Sequence, residues 1–346
     1  MSTILAIDLG KYNSILCWYE VESRQVEYRS ISTTPEVLRV ELQRQVISAV
    51  VIEACSQAGW VSDLCLSLSL PCDIANTNDQ AWQWKHVKRK TDKDDALKLA
   101  RLRAVGELNT VTLPSPTHRQ WKSLISLRKR LIGEQGRLQN RMRGILLSQG
   151  LPAPVGSRAW TQAGLRQLQA LAKRLEACSP LELWRGEVEV LLTRYGHCQE
   201  HLRQMEQRLD ALAEQSPAVQ LLVSIPGVGV RTAEVIASHL GEGTRFQCAE
   251  EVSAYAGLVP RQYQSGQTDR RGAITKRGSK VLRSALVECA WCALRYNSWA
   301  LATWQRLISQ GVSRKKAVVA LARKLLVRCW AMLRKGEVWQ EPVIAA

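Results

Sequence analysis

The sequence contains no run of about 18 consecutive apolar residues, the length that a helix needs to cross a membrane. Its first residues also lack the basic segment, apolar stretch and small-residue cleavage site of a secretory signal. No internal repeat or low-complexity segment stands out. We therefore expect a cytoplasmic protein and exclude membrane-spanning and secreted classes.

The ten cysteines and five histidines show no convincing metal-site spacing. Cys289 and Cys292 form one CxxC pair, but no second ligand pair follows, so burial on an apolar helix is favoured over zinc. His197 and His201 lie four residues apart on a predicted helix, with Cys198 beside the first. No third ligand is evident there, and chance surface placement is the better explanation.

Acidic residues are scarce, since 31 Asp and Glu stand against 48 Lys and Arg and leave a net charge of +17. Such an excess favours a polyanionic partner, because Lys and Arg that neutralise phosphates supply most sequence-independent affinity for nucleic acids. The alternatives are binding to an acidic membrane surface, or a protein that is simply soluble and cationic. Because the basic residues cluster in particular segments, we favour nucleic acid and expect a nucleoid-associated protein.

The first 110 residues alternate between strand and helix patterns. Strands are predicted over 3–9, 13–20, 25–31, 48–53 and 72–77, and helices over 35–47, 57–66 and 91–104. This order predicts an α/β domain over 1–110 with a mixed sheet covered by helices.

The rest of the chain, 111–346, is predicted to be all-α. Over 111–215, leucines at heptad-like spacing and the break at Pro152 and Pro154 predict an antiparallel coiled-coil insertion. Its first arm is strongly basic, which favours contact with a phosphate backbone over a plain solvated face. We assign that contact to Arg128, Lys129 and Arg130. The remaining region, 216–346, is predicted to be a helical C-terminal domain with Gly-rich turns.

Two apolar strands in the first domain each end in an acid, Asp8 and Glu53, and a predicted helix carries Asp92 and Asp95 on one face. Singly, each acid could cap a turn or complement a helix dipole. Together they could hold a pair of Mg²⁺ ions for metal-assisted nuclease chemistry. Basic residues precede the helical pair and suit a nearby nucleic acid: Lys88, Arg89 and Lys90.

Residues 222–240 contain the turn Pro226–Gly229 between two apolar segments. This pattern predicts a helix-hairpin-helix in which Gly227 and Gly229 bring backbone N–H groups close to phosphates. A plain turn between two helices is the alternative.

A second basic stretch runs from Arg261 to Arg283, with seven Lys or Arg and one acid. Ser265 lies within it, in the segment YQSGQ, where spacing alone indicates a turn residue rather than a nucleophile. We expect this stretch to bind nucleic acid through Arg261, Arg270, Arg271, Lys276 and Arg277.

In this order, AIDLG, VVIEA, KTDKDDA, SIPGVGVRTA, AGLVPRQYQSG and RRGAITKRGSKVLRSAL are collinear across nearly the whole chain. The chain thereby resembles the insertion-sequence-110 family of transposases, also called bridge-RNA-guided recombinases. The resemblance implies a RuvC-like (RNase H-like) domain with an Asp-Glu-Asp-Asp site, a coiled-coil arm and a C-terminal transposase domain.

Matched residue by residue, the resemblance makes Asp8, Glu53, Asp92 and Asp95 the metal-binding acids and Ser265 the nucleophile. It implies a covalent phosphoserine link to DNA, assisted by metal ions, with the acids and the serine of one site coming from different protomers. A homodimer or homotetramer is therefore expected. A bridge RNA would pair with donor and target DNA, so that base pairing supplies the sequence specificity.

Two other functions remain open at this point. A hydrolytic junction-resolving nuclease would use the four acids alone and would leave Ser265 dispensable. A nucleic-acid-binding protein with a decayed site is disfavoured, because all four acids and the serine are present.

Overall fold

The computed structural model describes residues 2–76, 91–152, 155–265 and 268–341. Its internal contacts divide the chain into two compact units, Met1–Pro116 and Thr117–Ala346. The further division at residue 215 stays a prediction. No helix within the described ranges is long and apolar enough to cross a membrane. Lys88, Arg89 and Lys90, which the sequence suggested as nucleic-acid contacts, lie outside the described residues.

Within the described residues, the first unit is a five-stranded sheet with three helices. In chain order its elements are β1 (Thr3–Asp8), β2 (Asn13–Glu20), β3 (Val26–Ser32), α1 (Pro35–Leu42), β4 (Ala49–Glu53), α2 (Ala58–Ser67), β5 (Cys72–Ala75) and α3 (Asp92–Ala104). The strand order is β3-β2-β1-β4-β5. β1 pairs antiparallel with β2 and parallel with β4, so the sheet is mixed as predicted.

Alternating side chains of the sheet supply two separate cores, since successive residues of a strand point to opposite faces. On one face, Ile7 and Ile52 join a core that includes buried residues of α1 and α2. On the other face, Ala6 and Val51 pack with residues of α3, including Leu99. Each β-strand at the centre of the sheet is therefore buried on both sides.

The predicted helix over 35–47 is shorter than expected, because α1 ends at Leu42. Ile47 lies instead in the core beneath the sheet, and the Ser48 N–H donates to the carbonyl of Thr3 at 2.8 Å. The chain must leave the helix at this point to enter β4 beside β1, and this tertiary pairing overrides the local helical pattern.

The second unit is mainly helical. Its elements are α4 (Pro116–Ser148), short 3₁₀ turns at Ser157–Trp160 and Leu175–Ala177, α5 (Gln162–Leu171), α6 (Leu183–Glu214), α7 (Pro217–Val223), α8 (Val230–Leu240), α9 (Ala249–Tyr255), β6 (Pro260–Ser265), β7 (Thr268–Ile274), α10 (Lys280–Tyr296), α11 (Ser298–Ser309) and α12 (Arg314–Lys335).

The long helices α4 and α6 form the predicted antiparallel hairpin. Arg128 pairs with Glu206 at 2.6 Å, and further along α4 Arg141 pairs with Glu187, so the partner numbers fall as the α4 numbers rise. Met142 and Tyr195 belong to the apolar cluster between the two helices. The first turns of α4 and the last turns of α6 pack into the core of the C-terminal helices.

The expectation of a wholly helical C-terminal region is wrong over residues 260–274. Strands β6 and β7 form an antiparallel hairpin there, with Ser265 opposite Thr268. Most side chains that the structure describes in the hairpin are exposed. Charged and polar residues dominate its sequence, so it lacks the apolar alternation that marks a half-buried strand. Its pairing rests on the backbone ladder rather than on a buried face.

Candidate active site

The first two predicted acids end neighbouring parallel strands. Ile7 of β1 stands opposite Ile52 of β4, so that Asp8 and Glu53 follow side by side at the carboxyl ends of the two strands. Because side chains alternate along a strand, both acids share the sheet face of Ala6 and Val51 rather than that of the two isoleucines. Both carboxylates therefore project from the face that α3 covers.

The turn after Asp8 is held tight by a glycine. A Cβ added at Gly10 would lie 2.0 Å from the carbonyl oxygen of Asn13, so any larger residue would push β1 and β2 apart. The chain reverses directly after Asp8, and this acid consequently stays at the strand end.

Helix α3 brings Asp95 to the same face of the sheet and leaves Asp92 exposed at its first residue. Asp95 is only 7% exposed, and Leu99, one turn further along, is buried in the core shared with β1 and β4. Asp92 opens the helix one turn earlier and is exposed to solvent. The structure thus sets Asp95 on the sheet-facing side of α3 and leaves Asp92 at its accessible end.

Asp94, which is not among the four predicted metal ligands, has a structural role. The Thr91 hydroxyl accepts from the Asp94 N–H at 3.3 Å, and the Asp94 carboxylate accepts from the Thr91 N–H at 3.1 Å. This reciprocal capping box fixes the start of α3, and with it the orientation of Asp92 and Asp95. The spacing Thr-x-x-Asp is a recognisable signal that the sequence analysis missed.

Asp8, Glu53 and Asp95 lie on one face of the sheet but do not form a ready-made metal site. Within the described residues, no group of three or more His, Cys, Asp or Glu side chains is arranged to hold a metal ion. Their donor chemistry fits Mg²⁺, since all four predicted ligands offer carboxylate oxygens. In phosphoryl-transfer sites Mg²⁺ is commonly bound by one or two carboxylates together with water and substrate phosphates.

Ser265 lies at the tip of the β6–β7 hairpin. It is the last residue of β6, and its backbone pairs with Thr268, the first residue of β7. Ser265 and the carboxylates belong to different compact units of the chain.

Two glycines hold the base of the hairpin together. Gly257 has φ +67°, and a Cβ added there would lie 2.0 Å from the carbonyl oxygen of Arg277. Gly278 has φ +89°, and its Cβ would lie 2.0 Å from the carbonyl oxygen of Tyr255. Both residues need the left-handed region and a close backbone approach, so no other residue type fits without displacement. The two ends of the hairpin are therefore fixed against each other.

The predicted cations of this segment are exposed around the hairpin. Arg261 and Arg270 lie on the two strands, and Lys276 and Arg277 follow them at the base. Arg271 lies in β7, where the structure describes its backbone but not its side chain. The exposed cations are available to a polyanion, which agrees with the contact predicted from the sequence without testing it.

The two glycines of the predicted helix-hairpin-helix differ in role. Gly229 is the exposed N-cap of α8, and a Cβ added there would meet nothing within 4 Å. Gly227 has φ +89° and abuts α10, since its added Cβ would lie 2.9 Å from Cα of Ala293. Helix packing therefore accounts for Gly227, whereas Gly229 leaves the start of α8 open to solvent.

The basic arm of α4 is partly engaged within the unit. Arg128 is paired with Glu206, and the Lys129 ammonium donates to the hydroxyl of Ser284 on α10. Arg130 is exposed. Of the three predicted phosphate contacts on this arm, two therefore have partners in the fold.

A buried polar cluster next to the hairpin base was not found from the sequence. His239 Nε2 lies 2.9 Å from the hydroxyl of Ser279, the N-cap of α10, and its Nδ1 lies 2.8 Å from the carbonyl of Val235. The Lys122 ammonium lies 3.4 Å from the phenolic oxygen of Tyr255. These residues come from helices that are distant in sequence, so no local pattern could reveal their proximity.

Two family models match separate parts of the chain. A model of the DEDD transposases of the IS110 family matches residues 5–150, and a model described as transposase IS116/IS110/IS902 family matches residues 219–305. The first match includes all four candidate acids, and the second includes Ser265 and the predicted helix-hairpin-helix.

Known transposases resemble the chain over most of its length, and another protein resembles a shorter part of it. The transposase for insertion sequence element IS1328 of Yersinia enterocolitica is 30% identical over 262 residues, which is 73% of this chain and 74% of that protein. The transposase for insertion sequence element IS1111A of Coxiella burnetii is 26% identical over 97% of this chain and 91% of its own length. The pilin gene-inverting protein of Moraxella bovis is 33% identical over 38% of this chain and 42% of its own.

Protonation of His239 is expected to destabilise the second unit. Burial and, next, the charge of Lys122 lower the pKa of His239 from 6.5 to about 4. Between these two pH values the unfolded chain binds a proton at His239 that the folded chain does not bind. The free energy of unfolding should therefore decrease by up to about 3 kcal/mol as the pH is lowered from about 6.5 to about 4. Urea unfolding at a series of pH values measures this loss.

The variant His239→Gln should show a shallower pH dependence in that window, because it lacks the titrating imidazole. His201→Gln, which alters an exposed histidine of α6, should behave as the parent protein does. An unchanged pH dependence in His239→Gln would contradict the assignment of the acid-sensitive step to this residue.

Proposed function

Since the chain belongs to the IS116/IS110/IS902 family of insertion-sequence transposases, enzymes that cleave DNA and transfer strands, we propose that it uses two residue sets for this reaction. The first set is a serine nucleophile, Ser265. The second is a metal-binding acidic set, consisting of Asp8, Glu53, Asp92 and Asp95.

The parallel register of β1 and β4 carries the acidic half of the proposal. It sets Asp8 and Glu53 side by side, on the sheet face that receives Asp95 from α3. Carboxylates gathered at the ends of central strands suit a RuvC-like domain, and the mixed five-stranded sheet supports that fold. Mg²⁺ bound by these acids would stabilise the charge that develops on the phosphoryl and leaving oxygens.

The serine half of the proposal is a two-step transfer without net hydrolysis. In the first step, the hydroxyl oxygen of Ser265 forms a bond to phosphorus while the bond from phosphorus to a deoxyribose oxygen breaks, and the serine proton is passed in net terms to that leaving oxygen. In the second step, a hydroxyl of the partner DNA strand attacks the phosphoserine and returns the proton to Ser265. The number of phosphodiester bonds is conserved.

The exposed hairpin supports this assignment. Ser265 lies at the tip of two strands whose base is fixed by Gly257 and Gly278, so the segment projects while its origin stays rigid. Exposed cations along the strands and at the base can neutralise the DNA phosphates.

Assembly and guidance complete the proposal. The acids and the serine belong to different compact units, which is compatible with one active site assembled from two protomers in a homodimer or homotetramer. A bridge RNA would choose donor and target DNA by base pairing, and the net charge of +17 suits a protein that holds both RNA and DNA.

Removal of the serine hydroxyl should abolish a covalent protein–DNA intermediate. We expect Ser265→Ala to bind DNA and RNA but to give no adduct when incubated with Mg²⁺, the element's non-coding RNA and labelled target DNA. A denaturing gel separates the adduct from free DNA. Tyr263→Phe is the matched control, because Tyr263 is an exposed hydroxyl-bearing residue of the same strand.

Loss of the adduct in Tyr263→Phe but not in Ser265→Ala would transfer the nucleophile to the tyrosine. Cleaved DNA without any adduct would favour the hydrolytic junction-resolving nuclease, in which the acids act alone. Omission of the RNA in a parallel lane tests the guidance step, since adduct formation should then fail.

Neutralisation of a metal-binding acid should lower strand cleavage by ~100-fold or more, because charge stabilisation at the phosphoryl group is lost. Asp95→Asn is the test variant, and cleavage rates at increasing Mg²⁺ concentration are the measurement. Asp94→Asn is the control, since it removes one charge from the same helical turn and keeps an oxygen that can cap the helix. Equal losses in the two variants would refute a special role for Asp95.

A further inference from the structure

We propose that a basic groove between α11 and α12 holds the phosphate backbone of duplex DNA. The proposal rests on the function proposed above only in taking DNA as the substrate, and it does not depend on the chemistry of Ser265. The groove is a cavity of about 540 Å³ in the second unit. Its lining includes four cations, Arg306, Arg323, Lys324 and Arg328, and the ring of Trp299.

The charge of the groove is positive and is not neutralised within the fold. Neither α11 nor α12 contains an acidic residue. None of the four lining cations forms an ion pair with any residue in the described part of the chain. Cations gathered without counter-charges around one cavity repel each other, and a polyanion relieves that repulsion.

The spacing of the cations suits neighbouring phosphates of one strand. Lys324 and Arg328 lie one turn apart on α12, which corresponds to ~6 Å along the helix axis. Phosphates of one DNA strand advance by about 3.4 Å each along the duplex axis, so this turn spans about two phosphates. Arg306 from α11 faces the same cavity from the opposite wall.

The walls of the groove are fixed by the core beneath them. Ala300 of α11 and Leu321 and Leu325 of α12 are buried in the main core of the second unit. The cations project from the outer sides of these anchored helices. The site is therefore preorganised and needs no folding on binding.

In the described part of the chain, the groove offers no exposed aromatic ring on which a base could stack, and this favours a duplex over a single strand. Trp299 is the one aromatic side chain among the described lining residues, and it is only 8% exposed. The Arg328 guanidinium lies over its ring, 5.4 Å from the centroid. Single-stranded nucleic acids are commonly bound by stacking their bases on exposed aromatic rings, whereas duplex DNA is held through its phosphates.

The test is the salt dependence of binding by the full chain to a labelled DNA duplex of mixed sequence. In the groove variant, Arg306, Arg323 and Lys324 are all changed to Gln, and Arg328 is kept because it packs on Trp299. Each lost phosphate contact should make the slope of log affinity against log salt shallower by about one, so we expect a change of about three. Fluorescence anisotropy across a KCl series measures the slope.

The matched control changes Arg314, Lys315 and Lys316 to Gln. These three exposed cations lie in the first turn of α12, outside the groove, and their loss alters the net charge equally. The control should keep the parent slope. An equal change of slope in the groove variant and in the control would show that only the net charge matters, and it would overturn the proposal. Thermal unfolding confirms that each variant is folded.

A duplex RNA of the same sequence distinguishes the nucleic acid. If the groove variant bound duplex RNA more weakly than the parent protein does but bound duplex DNA equally well, the assignment to DNA would be overturned. Ser265→Ala should retain the full slope for DNA. Failure of the serine chemistry would therefore leave this test intact, and failure of the groove would leave the serine chemistry untouched.

Discussion

The parallel pairing of β1 with β4 is the contact on which the proposed acidic site depends. Because side chains alternate along a strand, a shift of one residue in this register would turn Glu53 to the opposite face of the sheet from Asp8. The register is enforced by burial on both faces, since Ile7 and Ile52 fill one core and Ala6 and Val51 the other. The apolar cores thus determine where the carboxylates project, and α3 then adds Asp95 to the same face.

In the second unit, the main constraint is to hold the β6–β7 hairpin on a fixed base. Most described side chains of the β6–β7 hairpin are exposed, so the residues at its ends fix its position. Gly257 and Gly278 provide this by the close approach of their backbones, and the contact between His239 and Ser279 ties α8 to the start of α10 directly behind them. The core of the C-terminal helices also supports the groove of α11 and α12, so two surfaces suited to DNA share one scaffold.

Sequence patterns predicted those features that depend on local periodicity and strand ends. All five strands of the sheet were located, as were the long antiparallel helices and the strand ends at Asp8 and Glu53, because apolar alternation and heptad spacing are local properties. The hairpin around Ser265 was missed, since the sequence of its strands lacks the apolar alternation of a half-buried strand. The proximity of Lys122 to Tyr255 was beyond any pattern, because packing brings together helices that are separated by more than a hundred residues.

The central claim is that the hydroxyl of Ser265 becomes bonded to DNA, and mass spectrometry of the covalent adduct tests it most directly. Digestion with trypsin and nuclease should release the segment from Gln262 to Arg270, which contains three hydroxyl-bearing residues, Tyr263, Ser265 and Thr268. Fragmentation should locate the residual nucleotide phosphate on Ser265. A nucleotide on Tyr263 or Thr268, or on a peptide from elsewhere in the chain, would contradict it.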